Sequence, residues 1–200
     1  MALKTFVKVS GVNNLSDARY CAGMGVNQIG FNIEPDHANY TDPQSFKELS
    51  EWVSGVEFVG EIESNESAGQ LSEIIASYDL QAIQVNHIQL IEAAKATGKA
   101  VIYYTESIDD AKAAVDAHGK SIAYILLEDE SASKEDLNEL ASQCELVVGA
   151  GLKADSLDDL LEEVKPKGIA LKGGDEIRPG YKDFDEMADI LEALDADEWA

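Results

Sequence analysis

Lys8-Val9-Ser10-Gly11-Val12-Asn13-Asn14-Leu15-Ser16-Asp17-Ala18 is the stretch on which the fold turns. A short apolar strand, Phe6–Ser10, ends at Ser10-Gly11, and a helix starts a few residues later at Ser16 with Asp17 in its first turn. The same unit recurs to the end of the chain. Strands are expected near Phe6–Ser10, Gln28–Asn32, Phe58–Ile62, Ala82–Val85, Ala100–Tyr104, Tyr124–Leu127, Leu146–Gly149 and Gly168–Leu171. Between and after them, helical periodicity marks Ser16–Ala22, Asp42–Val53, Ser67–Ser77, Ile88–Thr97, Ser107–Ala117, Lys134–Gln143, Leu157–Val164 and Phe184–Leu194.

Parallel strands joined by helices are covered on both faces, so they read as continuous apolar runs; Tyr124-Ile125-Leu126-Leu127 and Leu146-Val147-Val148 do so. Eight such units in 200 residues favour an α/β protein of the closed (β/α)8, or TIM barrel, type over an open doubly wound sheet. No stretch rich in proline, glycine or serine interrupts the series, so residues 1–200 are expected to form a single domain. Helix punctuation agrees: Ser16 with Asp17, Asp42 before Pro43, and Ser107 before Asp109 and Asp110 read as starts, and Gly23 and Gly25 as helix-to-strand turns. The tail Asp195–Ala200 reads as a frayed end.

The chain carries 39 acidic and 15 basic residues, a formal net charge of -24. Nucleic acid and anionic membrane both need a positive footprint, so neither is expected as a partner. Cys21 and Cys144 lie far apart without metal-ligand spacing and read as reduced thiols. There is neither a basic leader followed by an apolar stretch nor a window long and apolar enough for a membrane span, so a cytoplasmic location is expected. Polar, acidic helix faces suggest a monomer or a weak homodimer.

In a barrel of this type the active site lies at the C-terminal ends of the strands. That rule directs attention to Ser10, Asn32 to Asp36, Glu61, Glu63, Asn86, His87, Thr105, Glu106, Glu128, Asp129, Gly149 to Gly151, and Lys172 to Glu176. Gly149-Ala150-Gly151-Leu152 and Lys172-Gly173-Gly174-Asp175 fall after strands seven and eight, where such barrels cradle phosphate on backbone N–H groups. Gly151, Lys172, Gly173 and Gly174 are therefore candidate phosphate contacts. The other reading of these glycines is that they permit tight turns, and Asp175 and Glu176 would repel a phosphate. Glu128 and Asp129 are candidate general acids or bases, or else solvated loop carboxylates. His87 is a candidate catalyst or a hydrogen-bonded loop residue, and the histidines show no metal-ligand spacing.

The chain resembles phosphoribosylanthranilate isomerase, a barrel enzyme of tryptophan biosynthesis, from about Leu3 to Leu194. The residues 8–18 are similar to that family's Lys-x-Cys-Gly-(Ile/Leu)-x-x-x-x-Asp-Ala start. Further along, Gly30-Phe31 with Pro35 and Tyr40, Val59-Gly60 with Asn65-Glu66-Ser67, and Ala82-Ile83-Gln84-Val85 follow its second, third and fourth strands. Leu126-Leu127, Gly151-Leu152, Pro179-Gly180 and Lys182-Asp183 complete the series. What the resemblance implies is an Amadori rearrangement of an N-phosphoribosyl aminoaldose to a ketose, with no cofactor or metal and with a small phosphorylated sugar-type ligand. An acid after strand six opens the ribose ring, a cysteine base after strand one removes the C2′ proton, and backbone amides after strands seven and eight hold phosphate. By position the base falls on Ser10, the acid on Glu128, the phosphate contacts on Gly151, Gly173 and Gly174, and further substrate contacts on Asn39 and Gln84.

Departures from the pattern gather at the same strand ends. Ser10 stands in place of the cysteine, and serine cannot supply the thiolate that a group titrating near ~8.5 provides. Glu128 is one methylene longer than the family's aspartate. The family's Lys-Ser-Pro-Arg loop becomes Asp36-His37-Ala38-Asn39, without the arginine, and Asp129–Ser133 replaces a longer glycine-rich loop. Three readings follow: an isomerase in which His87 or Asp129 covers for the cysteine; a barrel running another sugar-phosphate isomerisation or lyase step; or an inactive paralogue that binds a phosphorylated ligand or regulates.

Overall fold

The side chain of Asn14, rather than Ser16 or Asp17, caps the first helix: its carboxamide oxygen accepts from the Asp17 N–H at 2.9 Å. The helix accordingly begins one residue earlier than expected. A computed structural model describes residues 2–65, 69–172, 176–178, 181–182 and 185–196. Its strands are β1 (Phe6–Ser10), β2 (Gln28–Asn32), β3 (Glu57–Ile62), β4 (Ala82–Val85), β5 (Ala100–Thr105), β6 (Tyr124–Leu127), β7 (Leu146–Val148) and β8 (Gly168–Lys172). They pair in parallel, in chain order, and β8 returns to β1 along Phe6–Ser10 against Gly168–Lys172. Closure leaves no sheet edge and puts every strand's C-terminal end at one mouth.

The helices are α1 (Leu15–Gly23), α2 (Pro43–Ser50), α3 (Leu71–Ile75), α4 (Ile91–Ala96), α5 (Ile108–His118), α6 (Lys134–Gln143), α7 (Leu157–Val164) and α8 (Asp185–Ala193). Asp42 and Ser107 cap α2 and α5 as the sequence suggested. Where Ile88–Thr97 reads as one helix, the first turn is a 3-10 turn, Ile88–Leu90, and α4 begins at Ile91. A short antiparallel pair, β9 (Glu176–Arg178) and β10 (Tyr181–Lys182), follows β8 and was not anticipated. Residues 66–68, 179, 180, 183 and 184, on which some expected motifs and helix starts fall, lie outside the described residues, as do 197–200. Asp195 and Ala196 are not frayed: Leu3 bridges Asp195, and the Ala196 N–H reaches the Ala2 carbonyl at 2.8 Å.

Strand alternation sorts the side chains into two cores. Val7, Val9, Ile29, Phe31, Ile83, Val85, Ile125 and Leu127 face outward against Phe46, Ala111, Leu140 and Leu191 of the helices. Inside the barrel, Val59, Ala82, Ile102, Tyr124, Leu126, Val147 and Ala170 fill the β3–β8 side. The β1–β4 side is polar: Lys8, Ser10, Gln28, Asn32, Glu61 and Gln84 are all buried. Lys8 and Glu61 form an ion pair at 2.6 Å with side-chain exposures of 0% and 5%. Gly30 lies between them on β2, where a Cβ would stand 1.9 Å from Glu61 Oε1 and 3.0 Å from Lys8 Nζ. Lower in the barrel, the Tyr124 hydroxyl donates to Gln28 Oε1 at 2.7 Å, and Gln28 Nε2 donates to Glu57 at 2.8 Å. Both cysteines are free thiols; Cys21 is buried, and burial together with Glu145 pushes the Cys144 thiol up to about 11. Among the described residues no helix is long and apolar enough to cross a membrane.

A charge left alone in this interior has no water to turn to. Lys8→Met is expected to lower unfolding free energy by about 3–5 kcal/mol, and adding Glu61→Leu should recover most of it. Urea denaturation of the single and double variants checks this; a double variant as unstable as Lys8→Met alone would contradict it.

Candidate active site

Glu128 follows β6 directly and turns into the barrel mouth, its side chain 12% exposed. Two neighbours fix it. From β8, Lys172 Nζ donates to Glu128 Oε2 at 2.5 Å, while also lying 5.3 Å from the centroid of the Tyr104 ring. From β5, the Tyr104 hydroxyl stands 3.0 Å from Glu128 Oε2 and 2.7 Å from Glu106 Oε1. A phenol has one proton to donate, so it serves one of these carboxylates at a time. Burial, and then the hydrogen bond to Glu106 and the charge of Glu128, push the Tyr104 phenol well above its ordinary range. It therefore stays a neutral donor. Neither Tyr104 nor its partnership with Glu106 was apparent from the sequence, which offers only the i, i+2 spacing of residues on one strand face.

Gly149, read from the sequence as a turn or phosphate glycine, has a more definite task. A Cβ there would stand 2.5 Å from Glu128 Cγ, so glycine makes room for the acid-position side chain. Gly151 is exposed and takes φ +68°, the left-handed turn conformation that favours glycine. Gly149, Gly151, Glu128, Glu106 and Lys172 line one open cavity of about 970 Å³ at the mouth, joined by Asp185 and Glu186 of α8. Gly173 and Gly174, expected as phosphate contacts, lie outside the described residues.

Ser10 is 7% exposed at the end of β1. Its Oγ accepts a hydrogen bond from Lys8 Nζ at 2.6 Å, and Glu61, the partner of Lys8, also takes the Gly11 N–H at 3.0 Å. With a cation on its oxygen, the Ser10 hydroxyl is arranged to give a proton bond rather than to pull a proton away. Asp129 is committed elsewhere. Its Oδ1 accepts from the Ser131 hydroxyl and N–H at 2.6 and 2.8 Å, and its Oδ2 from the Ile108 N–H at the start of α5 at 3.0 Å. The Ser131 hydroxyl, followed by the backbone donors, holds its carboxyl below the usual carboxylate range. Asp129 thus ties a loop to a helix and does not join Glu128. His87 is exposed after β4, and Asn39 is exposed in the loop after β2, its N–H donating to His37 Nδ1 at 3.1 Å. Gln84 is buried on β4 facing the barrel interior. Among the described residues no group of three or more His, Cys, Asp or Glu is placed to hold a metal ion.

A closed (β/α)8 barrel whose mouth carries carboxylates after β5 and β6, glycines after β7 and a lysine at the end of β8 has the form of an acid–base enzyme of this fold. No profile of a known family matches the chain. Among curated proteins, it is 23% identical over 206 residues to the N-(5′-phosphoribosyl)anthranilate isomerase of Maridesulfovibrio salexigens, covering 96% of this chain and 99% of the relative. The isomerase of Aquifex aeolicus is 25% identical over 200 residues, covering 92% and 96%. Of solved structures, the isomerase from Thermotoga maritima superposes with a TM-score of 0.78 at 21% identity, over 95% of this chain and 98% of that one. Another structure, of phosphoribosylanthranilate isomerase in complex with reduced 1-(o-carboxyphenylamino)-1-deoxyribulose 5-phosphate, gives 0.76 at 23% identity with the same coverage. The chain is thus similar over nearly its whole length to phosphoribosylanthranilate isomerases, as a diverged member would be, and has their barrel fold.

Because its folded-state value is depressed, the Asp129 carboxylate contributes stability above its unfolded value of about 3.9 and loses it as pH falls through the folded value. Carbon-detected NMR should place its titration midpoint below about 3.9, with faster amide exchange at Ile108 and Ser131 on the acid side. A midpoint at or above the ordinary value would contradict the bonding described.

Proposed function

We propose that the protein is a cofactor-independent isomerase of the phosphoribosylanthranilate isomerase type, catalysing the Amadori conversion of an N-phosphoribosyl aminoaldose to its ketose. The observation that carries this reading is Glu128, held at the barrel mouth by Lys172 and Tyr104 beside Gly149 and Gly151. Full-length similarity to curated isomerases, one of whose structural counterparts binds a ketose 5-phosphate analogue, supports it. Glu128 acts as the acid that protonates the ribose ring oxygen. Ser10 is not the base, since Lys8 holds its oxygen. Glu106, on the far side of the Tyr104 hydroxyl and in the same cavity, takes that role, so two carboxyl groups around one phenol divide into acid and base. Gly151 and Lys172 meet the phosphate, together with Gly173 and Gly174; Lys172 turns from Glu128 to do so. His87, Asp129 and Asn39 have no part in the chemistry.

The Lys8–Ser10 contact favours one competing reading, a barrel that binds a phosphorylated ligand without turning it over. The two separate in a tryptophan auxotroph lacking the isomerase and in a direct assay with purified protein. Growth and turnover are expected from the wild type, with Glu128→Gln and Glu106→Gln each lowering kcat by about 100-fold or more. A well-expressed wild type without turnover, yet binding the ketose 5-phosphate analogue, would leave only the binding role.

A further inference from the structure

Among the described residues lining the large cavity, Lys172 is the one lysine or arginine, and it faces the carboxyl groups of Glu106, Glu128, Glu130, Asp185 and Glu186. Its ammonium donates to Glu128 Oε2 at 2.5 Å. The side chain is nonetheless 56% exposed, and its other partner among the described residues is the face of the Tyr104 ring. A flexible four-carbon stem with that freedom can swing within the cavity toward Gly151. Glu128 cannot follow, being largely buried, backed by Gly149 and bonded to the Tyr104 hydroxyl. A phosphate entering this cavity and the carboxylate of Glu128 therefore compete for one cation.

The groups that face Glu128 decide what happens when the cation leaves. From β5 come the Tyr104 hydroxyl and Glu106, from β8 Lys172, from its own loop Glu130, and from α8, across the cavity, Asp185 and Glu186. Without Lys172 every remaining charge in that set is negative, and an arriving dianion adds to it. A largely buried carboxyl group in such surroundings favours its protonated form.

We infer that Lys172 is a switch operated by the ligand's phosphate: the dianion draws the ammonium off Glu128, which then takes a proton from solvent and becomes the acid. This rests on the isomerase reading above and adds the event that readies its acid. The proton so acquired passes to the ribose ring oxygen as the bond from C1′ to that oxygen breaks. The bond's electron pair stays on the oxygen, and the nitrogen lone pair closes the iminium at C1′. Lys172 is in this sense a positioning residue, acting through Glu128.

Calorimetric titration of the full chain with inorganic sulfate tests the switch, because sulfate keeps its charge near neutral pH and any proton taken up belongs to the protein. Run in two buffers of different ionisation enthalpy, the wild type is expected to take up about half a proton or more per sulfate bound. Glu128→Gln removes the competitor, so it should bind sulfate about 5-fold or more tightly than the wild type and take up no proton, although it loses turnover. Sulfate binding without proton uptake by the wild type would overturn the inference and leave the phosphate site standing; that arm needs no variant. A folded Glu128→Gln that binds sulfate no more tightly than the wild type would overturn it equally. If neither sulfate nor the ketose 5-phosphate analogue binds the wild type or Glu128→Gln at millimolar concentration, the inference and the phosphate reading both fall.

Discussion

The Lys8–Glu61 ion pair is the constraint around which the mouth of the barrel is arranged. Two opposite charges sealed inside a closed sheet must satisfy each other and their remaining hydrogen-bonding capacity. Glu61 does so with the Gly11 N–H, and Lys8 with the Ser10 hydroxyl, so the end of β1 is held by a pair that originates on β3. Gly30 follows from the same requirement, since any side chain on β2 at that level would collide with Glu61. Where the relatives' pattern has a cysteine, this chain has a hydroxyl that a cation already occupies.

In the proposed reaction β1 supplies no base, and the reactive groups shift around the barrel. Glu128 keeps the acid position after β6, and its carboxyl is fixed from both flanks by Lys172 and Tyr104. Glu106, the base of that proposal, faces it across the shared phenol. Gly149 is the local consequence: the longer glutamate side chain needs the space that a Cβ would fill. Misplacement of a catalytic group by about 1 Å can cost around 100-fold in rate, so the hold on Glu128 from two sides matters more than the extra methylene.

Much of the architecture was legible because barrel strands have simple local rules. The strands expected at Tyr124–Leu127 and Gln28–Asn32 coincide with β6 and β2, and Asp42 and Ser107 cap the helices they precede. The first helix was misread by a residue because Asn14 and Ser16 are both good caps, and only the chain's path selects between them. At the site, Glu128 was legible from its place after a strand. The Lys8–Glu61 pair was not, because its members are 53 residues apart and a lysine within a strand carries no mark of its partner. Asp129 and His87 stood at eligible positions, but side-chain direction and competing backbone donors decide such cases, and neither is written locally.

Charge decides what such a mouth admits. A chain of net charge -24 could keep a cationic phosphate cradle only by exempting it from the general acidity, and here its lysine is paired with a carboxylate. The most direct measurement is a crystal structure of the protein with the reduced 1-(o-carboxyphenylamino)-1-deoxyribulose 5-phosphate found in the relative. The account predicts phosphate against Gly151 with Lys172 turned toward it, and the sugar chain between Glu128 and Glu106. Phosphate bound elsewhere, or a sugar chain lying against Ser10 with Glu128 still paired to Lys172, would contradict it.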